Sequence, residues 1–280
     1  MAFDTFIPRL WAAAFLSNLN NDHVYAQCFN RDYEGEVKGQ GSSVTINSIG
    51  RVTINAYSRN TNIGAVEELD VTGQSVLIDQ GDYFNFGIDD IDKKQAAGAL
   101  MSSAMAEASW AMAEEIDDFL AGVLNASVAT ANTLTARTVG YGAGESDAYS
   151  TLVEMQVALD DANVPGAGRW VVVPNWYGAM LNLDPRVISF GTPSNRAVYR
   201  GDPIGTAAGF TIMKSNNVPS STDVIAGYKG AATYAEQLHE IVPYKPELRF
   251  GDAVKGLQVY GAKVTRPSAL AKVVATQGAF

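Results

Sequence analysis

A mixed α+β chain organised along one long helix is what this sequence predicts, and three observations carry the prediction. From Asp92 to about Asn125, apolar residues recur in steps of three or four at Ala97, Met101, Met105, Ala108, Met112, Ile116, Phe119 and Val123, with no proline among them. On both sides of that stretch the apolar period falls to two, the signature of strands. Between two early strand-like runs lies a polar excursion, Ala56 to Gly73, with few large apolar residues beyond Val66, Leu69 and Val71.

The helix is well supported by its composition. Gly98 and Gly122 each weaken it by up to about 1 kcal/mol near its ends, but the interior is rich in Ala, Met and Glu, which lose little freedom in a helix. Roughly 33 residues at about 1.5 Å rise make a rod about 50 Å long. An ordinary globular helix is about a third of that, so the rod must be lined by the rest of the chain or by neighbouring molecules.

The remaining elements follow in order. Phe3 to Asn20 reads as a short amphipathic helix, with Pro8 near its start and Leu10, Trp11, Ala14, Phe15 and Leu19 on adjoining positions. The polar, turn-prone run Asn30-Arg31-Asp32-Tyr33-Glu34-Gly35-Glu36 leads into a sheet. Val44 and Ile46, then Val52 and Ile54, mark strands, and a second alternating run extends from Ser75 to Asp79 and through Tyr83, Phe84 and Phe86 to Ile88. Strand, excursion and returning strand form a long hairpin. A two-stranded hairpin is marginal in water, so it needs a partner, and an arm lying on a neighbouring molecule supplies one. Trp11 on the terminal helix and Arg59, Glu67, Glu68 and Leu69 on the excursion are the candidate intersubunit contacts.

Beyond the helix, Ala126 to Gly144 is low in charge and rich in Thr, Ala and Gly, which predicts a loop or a weak strand. Ser146 is placed to cap a helix from Asp147 to about Ala162, with Leu152, Met155, Leu159 and Ala162 inward. Arg169 to Val173 is an almost continuous apolar run and predicts a strand buried on both faces, with a short helix from Pro174 to Leu183 after it. Gly209 to Met213 reads as another strand. Further strands are expected near Asp223 to Tyr228, Leu238 to Val242, Leu257 to Lys263 and Leu270 to Thr276, and this β-rich end must pack on the long helix.

Composition excludes several functions. The 280 residues suffice for one elaborate domain or two, and 47% hydrophobic with 18% charged residues describes a folded chain. Twenty basic against 30 acidic residues leave a formal charge of -10, which argues against a surface that neutralises phosphate backbones. Leu10 to Leu16 is too short to span a membrane and has no basic leader, so neither a span nor a signal peptide is expected. The single Cys28 permits no internal disulfide, fits a reducing cytoplasm, and reads as a small buried apolar residue.

The search for chemistry returns no catalytic, cofactor-binding or metal residue. Only His23 and His239 are available for a nucleophile–base pair, on an arm and a strand, and neither lies in a recognisable motif. Glu114, Glu115, Asp117 and Asp118 would suit a carboxylate metal centre only with a Glu-x-x-His partner, which is absent, so they read as a solvated or intersubunit face. Asp89, Asp90 and Asp92 mark the helix start, where negative charge suits the dipole. Gly140-Tyr141-Gly142-Ala143-Gly144 lacks the Lys-Ser/Thr of a phosphate loop and reads as a flexible loop.

Taken together, these segments resemble the major capsid proteins of tailed phages, whose fold is shared with herpesvirus capsid floors and encapsulins. NRDYEGEV is similar to that family's junction between arm and hairpin, and FGIDDIDKKQA to its entry into the spine helix. ANVPGAGRWVVVP and IGTAAGFTIMKSNNVP are similar to its strand motifs, and VTRPSALAKV to its closing strand. The likeness spans nearly the whole chain. Each motif is soft, but their order and spacing are specific.

The resemblance implies an N-terminal arm over 1–35, an extended hairpin loop over 36–88, a peripheral domain with the spine helix over 89–145 and 223–280, and an axial domain over 146–222. It implies a non-enzymatic coat protein without cofactors that self-assembles as pentamers and hexamers into an icosahedral shell around double-stranded DNA, binding no specific sequence. Expected partners are a separate scaffolding protein, a portal and a decoration protein; assembly is expected in the host cytoplasm and the final location in the virion capsid. A cross-link between Lys38 and Asn60 or Asn62, known in some relatives, is not assigned. Two alternatives stay open: a nanocompartment shell enclosing a cargo enzyme, and a soluble metal- or carbohydrate-binding enzyme using the acidic helix face.

Overall fold

The computed structural model describes residues 23–32, 43–49, 54–57, 59–60, 62, 71–89, 100–184, 205–247 and 251–279. The long helix α1 covers Leu100–Ser127, 28 residues or about 42 Å, and its expected first turns from Asp92 lie outside the described residues. Its buried stripe runs through Met105, Met112, Ala113, Ile116, Leu120, Ala121 and Leu124, while the expected Ala108, Phe119 and Val123 sit at its margin, half-buried. The stripe is therefore rotated slightly from the periodicity reading.

Two helices follow, α2 (Ala148–Asp161) and α3 (Asn175–Leu183). The residue preceding α2 in extended conformation is Asp147, not Ser146 as expected, and its carboxylate accepts a 3.2 Å hydrogen bond from the Ser150 hydroxyl. Leu152, Met155 and Leu159 face inward as the spacing predicts, whereas Ala162 is half-buried beyond the helix end.

The strands fall into three sheets among the described residues. β1 (Ser43–Ile49) and β2 (Val71–Leu77) form the hairpin, antiparallel from Ser43 opposite Leu77 to Ile49 opposite Val71. The run expected to return as one strand is in fact two. After Leu77 the chain passes through the unpaired Ile78–Asp79 into β3 (Gln80–Asp89), which leaves the hairpin and pairs with β10 (Gly251–Val264), itself paired with β9 (Ala232–Tyr244). Ile78 marks the change of partner: it is fully buried with Ala235 of β9 and Val259 of β10, which ties the chain to that sheet before β3 begins. Asp89 thus ends a strand opposite Gly251; Asp90 and Asp92 lie outside the described residues. Ile54, expected in a strand, lies outside one and is 93% exposed.

The third sheet has the order β4-β11-β8-β5-β7-β6, with β4 (Thr133–Val139), β5 (Arg169–Val173), β6 (Thr206–Ala207), β7 (Phe210–Lys214), β8 (Asp223–Tyr228) and β11 (Leu270–Gln277). The Thr-rich stretch expected as a loop or weak strand supplies β4, parallel to β11. In β5, Trp170 and Val172 join the core on the α1 side, while Val171 and Val173 join the core with α2 and α3. From Trp170 to Val173 alternate side chains enter two cores, so a polar residue fits on neither face and this part reads as continuous apolar; Arg169 at the strand's start is buried against Asp160 and the carbonyls of Val164 and Pro165. Ile225 against Val224 and Ala226 in β8 divides the same way. Strands from 89–145 and 223–280 therefore share a sheet with strands from 146–222.

The C-terminal strands pack on α1 as expected. Phe119 meets Tyr260 edge to face at 5.4 Å, and Tyr234, Ile241, Val254 and Leu270 complete that core.

Candidate intersubunit surfaces

Three regions of this chain are built for position rather than chemistry. The first anchors its N-terminal segment. Asp117, expected on a solvated face, is buried: it stands four residues after Ala113 and three before Leu120, inside the apolar stripe of α1. A carboxylate there needs donors, and it finds them in the backbone N–H groups of Val24 at 2.7 Å and Tyr25 at 3.2 Å and in His23 Nδ1 at 3.3 Å. That fastens the turn Tyr25–Cys28 to the helix, and Asn30 then pairs with β9 through its N–H to Ala232 O and its carbonyl from Tyr234 N. Arg31 bonds Glu236, whose other oxygen accepts from Tyr234 at 2.5 Å and Gln258 at 2.9 Å. Glu114, Glu115 and Asp118 are exposed as expected. Sequence reasoning missed Asp117; its position in the apolar stripe was the available signal.

Burial also shapes the titrating groups here. Removal from water pushes the Tyr25 hydroxyl and the Cys28 thiol well above their ordinary values, with smaller contributions from Asp117. Cys28 is the small buried residue that was expected.

A second region is the loop at Gly140–Gly144. It is not free: the Glu145 carboxylate accepts from Gly142 N at 2.7 Å and Ala279 N at 3.0 Å, and a Cβ at Gly142 or Gly278 would stand 2.8 or 2.6 Å from it. The glycines make room for the protein's own carboxylate, and no phosphate is implied.

The third region is exposed apolar surface. Between β1 and β2, Ile54 and Tyr57 are 93% and 77% exposed, and Arg59 sits exposed in a turn beside Asn60, whose φ is 65°. On the outer face of β3, Tyr83 is 77% exposed and borders a cleft of about 350 Å³ lined also by Asn85, Val242, Lys255 and Leu257. Trp11, Glu67, Glu68 and Leu69 lie outside the described residues, as does the side chain of His239. Among the described residues no group of His, Cys, Asp and Glu could hold a metal ion, and no helix is long and apolar enough to cross a membrane.

The family model described as phage capsid protein matches residues 73–273. The chain is similar to a solved structure of Mycobacterium phage Che8, 30% identical over 90% of each chain, with a TM-score of 0.67. It is also similar to the capsid of cyanophage P-SCSP1u, at 16% identity over 91% of this chain and 89% of that one and a TM-score of 0.71. A virus-like particle from Pyrococcus furiosus, 12% identical, covers 95% of this chain and 99% of its own with a TM-score of 0.60. The last two similarities concern the fold alone. No curated protein matches in sequence.

Proposed function

The chain belongs to the phage capsid protein family, and we propose that its copies close into an icosahedral shell around a double-stranded DNA genome, joined by the β1–β2 hairpin of each subunit lying on its neighbour. It is a major capsid protein, a structural subunit of a phage shell. The observation carrying the proposal is the hairpin itself: two strands whose connecting stretch leaves Ile54 and Tyr57 in water. Apolar groups held out on an arm find cover only on another molecule.

In this reading 1–35 is an arm, 36–88 the extended loop, 89–145 with 223–280 a peripheral domain, and 146–222 an axial domain around which pentamers and hexamers close. Trp11, Arg59, Glu67, Glu68 and Leu69 contact neighbouring subunits, and the cleft beside Tyr83 receives one of them. A separate scaffolding protein, a portal and a decoration protein complete the particle, assembled in the host cytoplasm. The family is one of structural proteins, and no catalytic role is proposed.

The test is electron microscopy and gradient sedimentation of particles made by the full chain together with its scaffolding protein. Closed shells of uniform diameter that hold DNA when mature are expected. A fixed small oligomer would overturn the shell, and shells filled with protein cargo instead of DNA would overturn the genome-enclosing role.

A further inference from the structure

The hairpin leaves the body across a single glycine. β10 pairs with β3 as far as Tyr260 opposite Gln80; the next residue, Gly261, pairs with Ala235 of β9, and the chain that enters β3 crosses directly over it. A Cβ on Gly261 would overlap the carbonyl oxygen of Leu77 and stand 3.0 Å from the Cα of Ile78. Those are backbone atoms, which cannot swing aside as a side-chain end can, so any other residue would lift the hairpin off the sheet. Two polar contacts hold the crossing from the hairpin side. Lys263 Nζ donates to Ser75 O at 2.9 Å, and Gln74 Nε2 donates to Thr265 O at 3.3 Å. Ile78, fully buried with Ala235 and Val259, fixes the end of the crossing.

We propose that Gly261, Lys263 and Gln74 form a clamp that sets the angle at which the hairpin leaves the body and, through that angle, the curvature at which copies of the chain pack. The second half rests on the shell reading above; the first does not. The pivot is the crossing of Leu77 and Ile78 over Gly261, Gln74 and Ser75 are held a few residues along the strand from it, and β1 and β2 extend seven residues from the pivot to the start of the connection between them. At about 3.3 Å per residue this is a lever roughly 20 Å long, so a tilt of about 10° at the clamp displaces its far end by about 4 Å. Shell curvature is set by small angles between neighbours, and an arm that bridges neighbours transmits its own angle to them.

The experiment places spin labels at Asn62→Cys and Glu247→Cys, both exposed, with the buried Cys28 left in place, and measures the distance distribution in the free subunit. The parent should give one narrow distribution. Gly261→Ala, and separately Lys263→Ala combined with Gln74→Ala, should shift its mean by about 4 Å or roughly double its width. The double variant keeps the test decisive should Gly261→Ala fail to fold, since it removes only two polar contacts. A parent distribution as broad as the variants', or variants indistinguishable from a narrow parent, overturns the clamp. The same chains are then assembled with scaffolding protein and imaged. Altered diameters or open sheets from the shifted variants support the curvature role; closed particles of parental diameter from a shifted variant overturn it. A shift in the free subunit together with a parent that forms no shell supports the clamp and overturns the shell reading.

Discussion

The six-stranded sheet and the β1–β2 hairpin are both built from short strands with similar residues, yet one is self-sufficient and the other is not. The sheet lies between α1 on one side and α2 with α3 on the other, so every residue of β5 is buried and the strands β5, β8 and β11 each feed two cores. The hairpin has one pairing partner and reaches the body at its base, through Gln74, Ser75 and Ile78. Strand-forming sequence alone does not make a stable region; covered faces do. In the shell proposed above, the two regions take separate tasks, a plate that holds its shape alone and an arm that acquires its environment on assembly.

Emptying the plate's core should give the largest effect on subunit stability. Leu152→Ala and Phe210→Ala each remove a fully buried side chain from the core between the sheet and α2 with α3, and each should lower the unfolding free energy by about 3 to 5 kcal/mol in denaturant titration. Costs below about 1 kcal/mol at both sites would mean the plate is not packed as described, and the contrast with the hairpin would disappear.

A smaller loss is expected where the N-terminal segment meets α1. Asp117→Ala leaves the Val24 and Tyr25 N–H groups without their carboxylate, at a cost of about 2 to 4 kcal/mol. The sharper readout is Cys28, since loosening the turn that carries it should speed its reaction with a thiol reagent in the folded protein. Unchanged reactivity together with unchanged stability would show that Asp117 does not fasten this segment.

Alkaline pH should weaken the body on both sides of the sheet. Burial raises the pKa of Tyr177, beside α2, and of Tyr25, beside α1, well above the ordinary tyrosine value near 10. The unfolded chain therefore releases these protons first as pH rises, and stability falls wherever the unfolded state binds fewer protons. Stability should be flat with respect to these groups below about pH 9 and decline above about pH 10. Tyr177→Phe, which cannot ionise, should decline less steeply, and an equal slope in that variant would assign the alkaline loss elsewhere.

How far the sequence announced this architecture depended on how local the cause was. Periodicity located α1, α2, α3 and most strands because each is a pattern along a few turns or pleats. β5 was recognisable as doubly buried because two cores leave no polar position after Arg169, in Trp170 to Val173. The break between β2 and β3 was hidden in one alternating run, because the reason for it, Ile78 seated against Ala235 and Val259, lies more than 150 residues away in sequence. Asp117 was hidden for the same reason: four acidic residues in a row of five look like a solvated face until His23, Val24 and Tyr25 arrive. β4 was half legible, since its threonines suit a strand but its edge position on the sheet, exposed at Thr133, Thr135 and Ala136, removes the apolar alternation. The Glu145 cradle needed the C-terminal residues folded back onto it, which no local pattern announces.

The smallest expected change in subunit stability comes from removing the excursion, and it bears most directly on the comparison of plate and arm. The strands of the hairpin close at Ile49 opposite Val71, so residues 50–70 can be replaced by a two-residue Asn-Gly turn without disturbing the register or the contacts of Gln74 and Ser75 with β10. The described residues of the removed stretch, 54–57, 59–60 and 62, are all exposed, and the melting temperature should stay within about 2 °C of the parent, the change expected for a surface edit of about 0.5 kcal/mol in a chain of this size. Assembly should fail, because the groups that find cover only on a neighbour are gone. Thermal melting of the free subunit and sedimentation after adding scaffolding protein, on one preparation, separate the two effects. A large drop in melting temperature would make the excursion part of the plate's own core, whereas stable, full-size particles from the shortened chain would show that neighbours do not depend on the arm.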